Sequence, residues 1–143
     1  MKLIKAIRVV GYDIELSCNR DPLPGGVIPI RDWWRATGRH PDYGYEILTY
    51  SVDEQSAIGQ FVDENYRIIS KIVLTEQQWR CAGCRRSGIP LEIDHIIPRS
   101  QGRLDIRSNL RGLGSAAGGG CGCHRKRHTV RNFVSLSLEE LCR

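Results

Sequence analysis

The chain lacks any apolar run long enough to cross a bilayer. A transmembrane helix needs about 18–20 consecutive apolar residues, and no stretch of the 143 residues approaches that length. The basic and apolar start, MKLIKAIRVV, is interrupted by Lys5 and Arg8, and no small-residue cleavage site follows it. We therefore interpret this start as a strand rather than a signal peptide. These absences argue against a membrane-spanning protein.

Acidic residues are scarce in the second half of the chain. Residues 79–143 contain 12 Lys and Arg but only 5 Asp and Glu, a net charge of +7, whereas residues 1–78 contain 9 and 11, a net charge of −2. This asymmetry favours a polyanionic partner, most simply nucleic acid. A basic surface that faces only solvent is the alternative, and charge alone does not exclude it.

An internal repeat is also missing, and the length suits one domain or a small domain with an appended lobe. Hydrophobic alternation and turn residues predict strands over residues 2–10, 12–18, 45–50 and 91–97. Helical spacing predicts an amphipathic helix over about 53–73, with capping-box spacing at Ser51-x-x-Glu54, a basic helix over 123–133 and a last turn capped by Ser137. A glycine-rich loop is expected over 112–122. The predicted fold class is α+β.

Six cysteines are present, and four of them form two close pairs, Cys81-Ala-Gly-Cys84 and Cys121-Gly-Cys123. Paired cysteines are typical of a disulfide framework in a short secreted protein and of a metal site in a reducing compartment. Because no secretion signal is visible, we favour a metal site. Four thiolates at this spacing predict structural zinc.

Several polar motifs follow one another between Cys81 and His128. They are Cys-x-x-Cys, the segment LEIDHIIPRSQG, the segment SNL, and CHRKRH. Together they resemble the HNH nuclease family. The resemblance covers roughly residues 79–131 and implies a ββα-metal fold, in which two strands and a helix clasp a catalytic metal. It implies an HNH nuclease domain over residues 79–143, after an α+β lobe over 1–78 whose role it does not explain.

The resemblance implies a role for each polar residue in hydrolysing a DNA phosphodiester bond. His95 would act as the general base that activates water, since an unperturbed histidine titrates near neutral pH. Asp94 and His124 would bind a divalent cation, Mg²⁺, Mn²⁺ or Ni²⁺, that stabilises the leaving oxygen. Asn109 would either orient the base or reach the metal. His128, one helical turn after His124, is either a further ligand or a phosphate contact.

One departure from the family pattern concerns the second cysteine pair. The family usually has Cys-x-x-Cys-His, whereas this chain has Cys121-Gly-Cys123-His124, one residue tighter. Cys123 is therefore the secure match, and participation of Cys121 in the zinc site stays open. The spacing from Asn109 to His124 is also longer than in compact members, because of the loop GLGSAAGGG.

The basic residues around the motif are candidate phosphate contacts, with solvent-exposed positions as the alternative for each. They are Arg99, Arg103, Arg125, Lys126, Arg127 and Arg131. The expected partner is double-stranded DNA, without a membrane partner, and the N-terminal lobe could bind a protein. We expect a cytoplasmic protein of a bacterial host or phage. The alternative function is a non-catalytic, zinc-stapled DNA-binding module, in which Asp94 and His95 are structural.

Overall fold

Four antiparallel strands form the first sheet of the computed structural model, which describes residues 3–22, 25–26, 32–129 and 133–142. They are β1 (Leu3–Val9), β2 (Tyr12–Asn19), β3 (Trp33–Arg39) and β4 (Glu46–Ser51), each paired with the next along the chain. Along β2, Tyr12, Ile14 and Leu16 are buried while the intervening acidic residues are exposed. Successive strand residues point to opposite faces, so one face of the sheet supplies the apolar core.

A long helix, α1 (Glu54–Glu76), follows the sheet. Its fully buried positions recur every four residues, at Ala57, Phe61, Asn65, Ile69 and Val73. That spacing places one side chain per turn on a single face of a helix.

The N-terminus of α1 differs from the expected capping box. Ser51 belongs to β4, and the cap is provided by Asp53, whose Oδ1 accepts a hydrogen bond from the backbone N–H of Ser56 at 2.7 Å. A carboxylate at this position satisfies a backbone donor that has no partner within the first helical turn.

The second half of the chain contains two strands and two short helices. β5 (Leu91–His95) pairs antiparallel with β6 (Leu110–Gly114), and short 3₁₀ turns at Arg99–Gln101 and Arg107–Asn109 lie between them. α2 (Cys123–Thr129) follows β6, and α3 (Leu138–Leu141) ends the described chain. The predicted cap at Ser137 is confirmed, since its side chain accepts from the backbone N–H of Glu140.

Two compact units divide the chain, and their boundary differs from the expected one at residue 78. The first comprises Met1–Arg67 and Gly102–Ile106, and the second comprises Ile68–Gln101 and Arg107–Arg143. The boundary falls inside α1 because one continuous helix supplies core residues to both units. Within the described residues, no helix combines the length and hydrophobicity that crossing a bilayer requires.

Residues 102–106 belong to the first unit through buried polar contacts. The ring of His40 accepts at Nδ1 from the backbone N–H of Asp42, so its proton lies on Nε2, which donates to the Asp105 carbonyl at 2.9 Å. The backbone N–H of Asp105 donates to the Val10 carbonyl, also at 2.9 Å. Sequence spacing gave no sign of these contacts, because they join positions about 65 and 95 residues apart.

The α+β fold class is confirmed, but several predicted boundaries were wrong. β3 was not predicted, and β6 takes the first three residues of the expected loop over 112–122. β5 ends at His95 rather than at 97. The basic helix ends at Thr129 in the described chain, and residues 130–132 of the prediction lie outside the described residues.

Candidate functional site

Four cysteines of the second unit meet at one point. Cys81 and Cys84 lie on the turn after α1, Cys121 lies in the loop after β6, and Cys123 begins α2. The sulfur atom of each cysteine lies within 4.8 Å of the other three, an arrangement that could hold a structural metal such as zinc. The spacing of the second cysteine pair left open whether Cys121 takes part in the metal site. In the structure, Cys121 lies beside the other three cysteines.

One sulfur–sulfur distance in this cysteine cluster is close to that of two ligands of a tetrahedral metal. The sulfur atoms of Cys81 and Cys121 are 3.6 Å apart, and two thiolates about 2.3 Å from one zinc ion are separated by about 3.8 Å. Backbone N–H groups of Gly83 and Gly114 donate to the Cys81 sulfur at 3.3 and 3.2 Å. These donors stabilise negative charge on that sulfur.

Thiol acidity within the cluster is uneven. Burial alone would raise the pKa of Cys121, but hydrogen bonds from the Cys123 backbone and from the neighbouring thiols outweigh it and lower the pKa to about 7. Burial raises the pKa of Cys123 and of Cys84. Close thiols share protons in this way, because a lone negative charge on one is stabilised by S–H groups of the others.

A second cluster of ligand atoms lies between β5 and α2. Asp94, His124 and His128 each offer one ligand atom within 4.8 Å of the others, so the group could hold a metal ion. His124 Nε2 is 3.5 Å from Asp94 Oδ1. Two donors bound about 2.1 Å from one cation are about 3.0–3.4 Å apart, so this separation is close to that of two ligands of one ion.

Glu92 orients His124, and sequence reasoning missed it. The Nδ1 atom of His124 is 2.5 Å from Glu92 Oε2, which leaves Nε2 on the side of Asp94. The hydrogen bond to His124, followed by one to Ser115, lowers the pKa of the Glu92 carboxyl. A carboxylate on the second ring nitrogen commonly fixes the tautomer of a metal-binding histidine. The available signal was spacing, since positions 92 and 94 of one strand share a face.

Two arginines bind the other oxygen of Asp94. The Nε atoms of Arg111 and Arg127 donate to Oδ2 at 2.8 and 3.0 Å, and the Asp94 side chain is 3% exposed. Arg111 is opposite Asp94 in the β5–β6 register. Their two positive charges balance a carboxylate that would otherwise be costly to bury.

Asn109 clamps the chain that follows β5. Its side-chain oxygen accepts from the backbone N–H of Ile97 at 2.7 Å, and its amide group donates to the Ile97 carbonyl at 3.3 Å. The Asn109 carbonyl accepts from the backbone N–H of Ile96 at 2.9 Å. Asn109 is 3% exposed, and these contacts fix the chain directly after His95.

His95 is 8% exposed at the end of β5. Among the described residues, it does not belong to the ligand group of Asp94, His124 and His128. Strand alternation explains the separation, since neighbouring residues on β5 face opposite sides.

No family model, curated protein or solved structure matches this chain.

The predicted phosphate contacts occupy different surroundings. Arg99, Arg125 and Lys126 are exposed in the second unit. Arg103 belongs to the first unit, where it forms an ion pair with Asp105 and lies 5.1 Å over the Tyr66 ring. Arg131 lies outside the described residues. Arg127 is mostly buried, with only 18% of its side chain exposed.

Proposed function

We propose that this chain is a metal-dependent endonuclease of the HNH type that hydrolyses DNA phosphodiester bonds. The observation that carries the proposal is the group of Asp94, His124 and His128, whose ligand atoms lie within 4.8 Å of one another. Asp94 lies near the end of β5 and the two histidines lie on α2, after β6. This strand–strand–helix order is the one that the proposed ββα-metal fold would have. The group supplies one oxygen and two nitrogen ligands, a mixed set that accepts several divalent cations.

Asp94 Oδ1 and His124 Nε2 would hold the catalytic cation, with His128 as the third ligand. When bound, a divalent cation stabilises charge on a phosphate oxygen and on the leaving oxygen. Three protein ligands leave other positions open for substrate, as a catalytic site requires. The contact between Glu92 and Nδ1 keeps Nε2 of His124 directed at this position.

His95 is the proposed general base. It removes a proton from water as the water oxygen bonds to phosphorus, and the bond from phosphorus to the 3′ oxygen breaks. The attacking and leaving oxygens lie on opposite sides of phosphorus in an in-line displacement, so the base need not share the ligand group of the cation. The leaving 3′ oxygen takes up a proton from solvent, so the products are a 5′-phosphate and a 3′-hydroxyl.

Asn109 supports the proposed base through the chain segment that follows it. Both of its side-chain hydrogen bonds go to Ile97, two residues after His95. We propose that this clamp holds the His95 backbone in one conformation, because a base contributes most when its position is fixed before the reaction.

Zinc is the proposed occupant of the cysteine cluster formed by Cys81, Cys84, Cys121 and Cys123. A thiolate set with a sulfur separation of 3.6 Å suits this ion. Double-stranded DNA is the proposed substrate because Arg99, Arg125 and Lys126 are exposed and the chain from residue 79 onward carries a net charge of +7.

The proposal is tested by incubating supercoiled plasmid with the purified chain and Mg²⁺ or Mn²⁺, with and without EDTA. We expect nicking that requires the added cation. His95→Ala should lower the rate at least a hundredfold, since a general base contributes about 10²–10⁴. The control is Lys71→Ala, an exposed position on α1 that we place outside the site. Wild-type protein with full zinc content that cuts neither plasmid nor single strands with either cation contradicts the proposal.

A non-catalytic DNA-binding module is the second candidate, and one observation favours it. Asp94 Oδ2 accepts from both Arg111 and Arg127, which is also how a purely structural buried carboxylate is satisfied. This candidate predicts DNA binding with a steep salt dependence and no turnover. It further predicts that His95→Ala binds DNA as wild type does.

A further inference from the structure

Arg127 contacts three consecutive residues at the end of β5. Its Nε donates to Asp94 Oδ2 at 3.0 Å, and its Nη2 donates to the carbonyls of His95 and Ile96 at 3.2 and 2.7 Å. The side chain is 18% exposed and the Asp94 side chain is 3% exposed. One guanidinium group therefore connects α2 to the strand end that carries the proposed metal ligand and the proposed base.

This environment differs from that of the other basic residues on α2. Arg125 and Lys126 are exposed, as a phosphate contact requires. Arg127 instead directs donors from two of its nitrogens at acceptors of its own chain. Arginine suits this task because its donors form a rigid planar fork, whereas a lysine ammonium is a single point on a flexible stem.

We infer that Arg127 is a positioning residue for the catalytic strand rather than a phosphate contact, an inference that rests on the proposed function. It holds Oδ2 of Asp94 together with Arg111, so that Oδ1 of the same carboxylate faces His124 Nε2 at 3.5 Å. Hydrogen bonds that orient a ligating carboxylate commonly change metal affinity by 10–100-fold when they are removed.

Arg127 also binds the backbone at His95, the proposed base, and at Ile96. Its bonds to the His95 and Ile96 carbonyls complement the Asn109 clamp, in which the N–H groups of Ile96 and Ile97 are bound. Losing Arg127 releases one side of this segment. The N–H groups of Ile96 and Ile97 should then exchange with solvent faster, because local opening becomes easier.

Arg127→Lys and Arg127→Ala separate positioning from phosphate binding. The measurements are Mn²⁺ binding by calorimetry, hydrogen exchange at the Ile96 and Ile97 amides, and the salt dependence of DNA binding. A lysine keeps the charge but cannot reach three acceptors together. We expect both variants to bind Mn²⁺ at least about tenfold more weakly and to exchange these amides faster, while their salt slopes match wild type.

Arg125→Ala is the matched comparison on the same helix, and it should reduce the salt slope by about one, as loss of one phosphate contact does. Zinc content and thermal unfolding confirm that each variant is folded. The inference is overturned if Arg127→Lys keeps wild-type Mn²⁺ affinity and exchange while Arg127→Ala lowers the slope by about one. That result identifies a phosphate contact.

Failure of the proposed function gives a different result. Wild-type protein that binds no Mn²⁺ and cleaves no DNA overturns the nuclease proposal, whatever Arg127 does. Hydrogen exchange at the Ile96 and Ile97 amides then still tests whether Arg127 positions this segment. Faster exchange in Arg127→Lys supports the positioning role, and unchanged exchange overturns it.

Discussion

Asp94 divides its two oxygens between different partners. Oδ2 accepts from Arg111 and Arg127, and Oδ1 faces His124. A single carboxylate can thus be neutralised by arginines and still present one oxygen to a cation. The same geometry is therefore compatible with the nuclease and with the non-catalytic DNA-binding module. Measurements of metal binding and of DNA cleavage separate the two functions.

Asn109→Ala should lower the free energy of unfolding by about 1–3 kcal/mol, because two side-chain hydrogen bonds to the partly buried backbone of Ile97 are lost and each contributes about 0.5–1.5 kcal/mol. Urea unfolding measures the change. Asn109→Asp keeps an acceptor for the N–H but places a carboxylate oxygen against the Ile97 carbonyl at a buried position, so it should be at least as destabilising as alanine. Equal stability of the wild type and both variants would show that the hydrogen bonds from Asn109 to Ile97 do not stabilise the fold.

Glu92→Gln should destabilise the protein at neutral pH and have no effect in acid. The hydrogen bond to His124 lowers the pKa of Glu92 below its usual value of 4.5. A lowered pKa in the folded state stabilises the fold at pH values above the unfolded pKa, and this contribution is lost as the pH falls through the folded pKa. The side chain is half exposed, so the difference at pH 7 should stay below about 1 kcal/mol.

Thermal unfolding of both proteins from pH 7 to pH 3 checks this prediction. The two unfolding temperatures should converge as the pH falls below 4.5. A gap that persists or widens in acid would show that Glu92 does not act through its charge.

At the scale of elements, the glycines of β6 let the strand lie close to the end of α1 and to the loop that carries Cys121. A Cβ at Gly112 would overlap Leu74, and one at Gly114 would overlap the Cys121 sulfur. Gln77 completes the contact, since its side chain both accepts from the Gly112 N–H at 2.7 Å and donates to the Gly112 carbonyl at 3.2 Å. The sequence Gly112-Leu113-Gly114 therefore reflects strand packing in addition to loop flexibility.

Gly112→Ala should destabilise the protein by about 1–3 kcal/mol, the usual cost of forcing a methyl group into a packed interior. Gly59→Ala is the control, because Gly59 is exposed in α1 and a methyl group added there would meet no atom within 4 Å. This control should raise stability by about 0.5–1 kcal/mol through helix propensity. Chemical unfolding compares them, and a Gly112→Ala protein as stable as wild type would refute the close approach.

At the scale of the whole molecule, cysteines contribute to an apolar cluster of the second unit. The buried members of this cluster are Cys81, Ala82, Leu113, Cys123 and Leu141. Two of these five side chains are thiols of the cysteine cluster. Because these thiols would ligate the metal, a bound metal would contribute directly to the folding free energy.

Purified protein should contain one zinc ion per chain by elemental analysis. Cys81→Ser should lose this zinc and unfold at a clearly lower temperature, whereas Asp94→Ala should retain it, because Asp94 belongs to the other ligand group. Prolonged chelation should reproduce the cysteine variant. If zinc is retained in Cys81→Ser but lost in Asp94→Ala, the zinc ion is bound by the group of Asp94, His124 and His128 and not by the cysteine cluster.

The sequence by itself determined the features that depend on residue type and short spacing. Paired cysteines pointed to the cysteine cluster, and helical spacing placed His124 beside His128. Only the tertiary structure decided which distant groups meet: the β5–β6 register puts Arg111 opposite Asp94, and α2 packing brings Arg127 to the same carboxylate. Periodicity reports the local geometry of one element, whereas these contacts depend on how separate elements pack, which spacing along the chain does not encode.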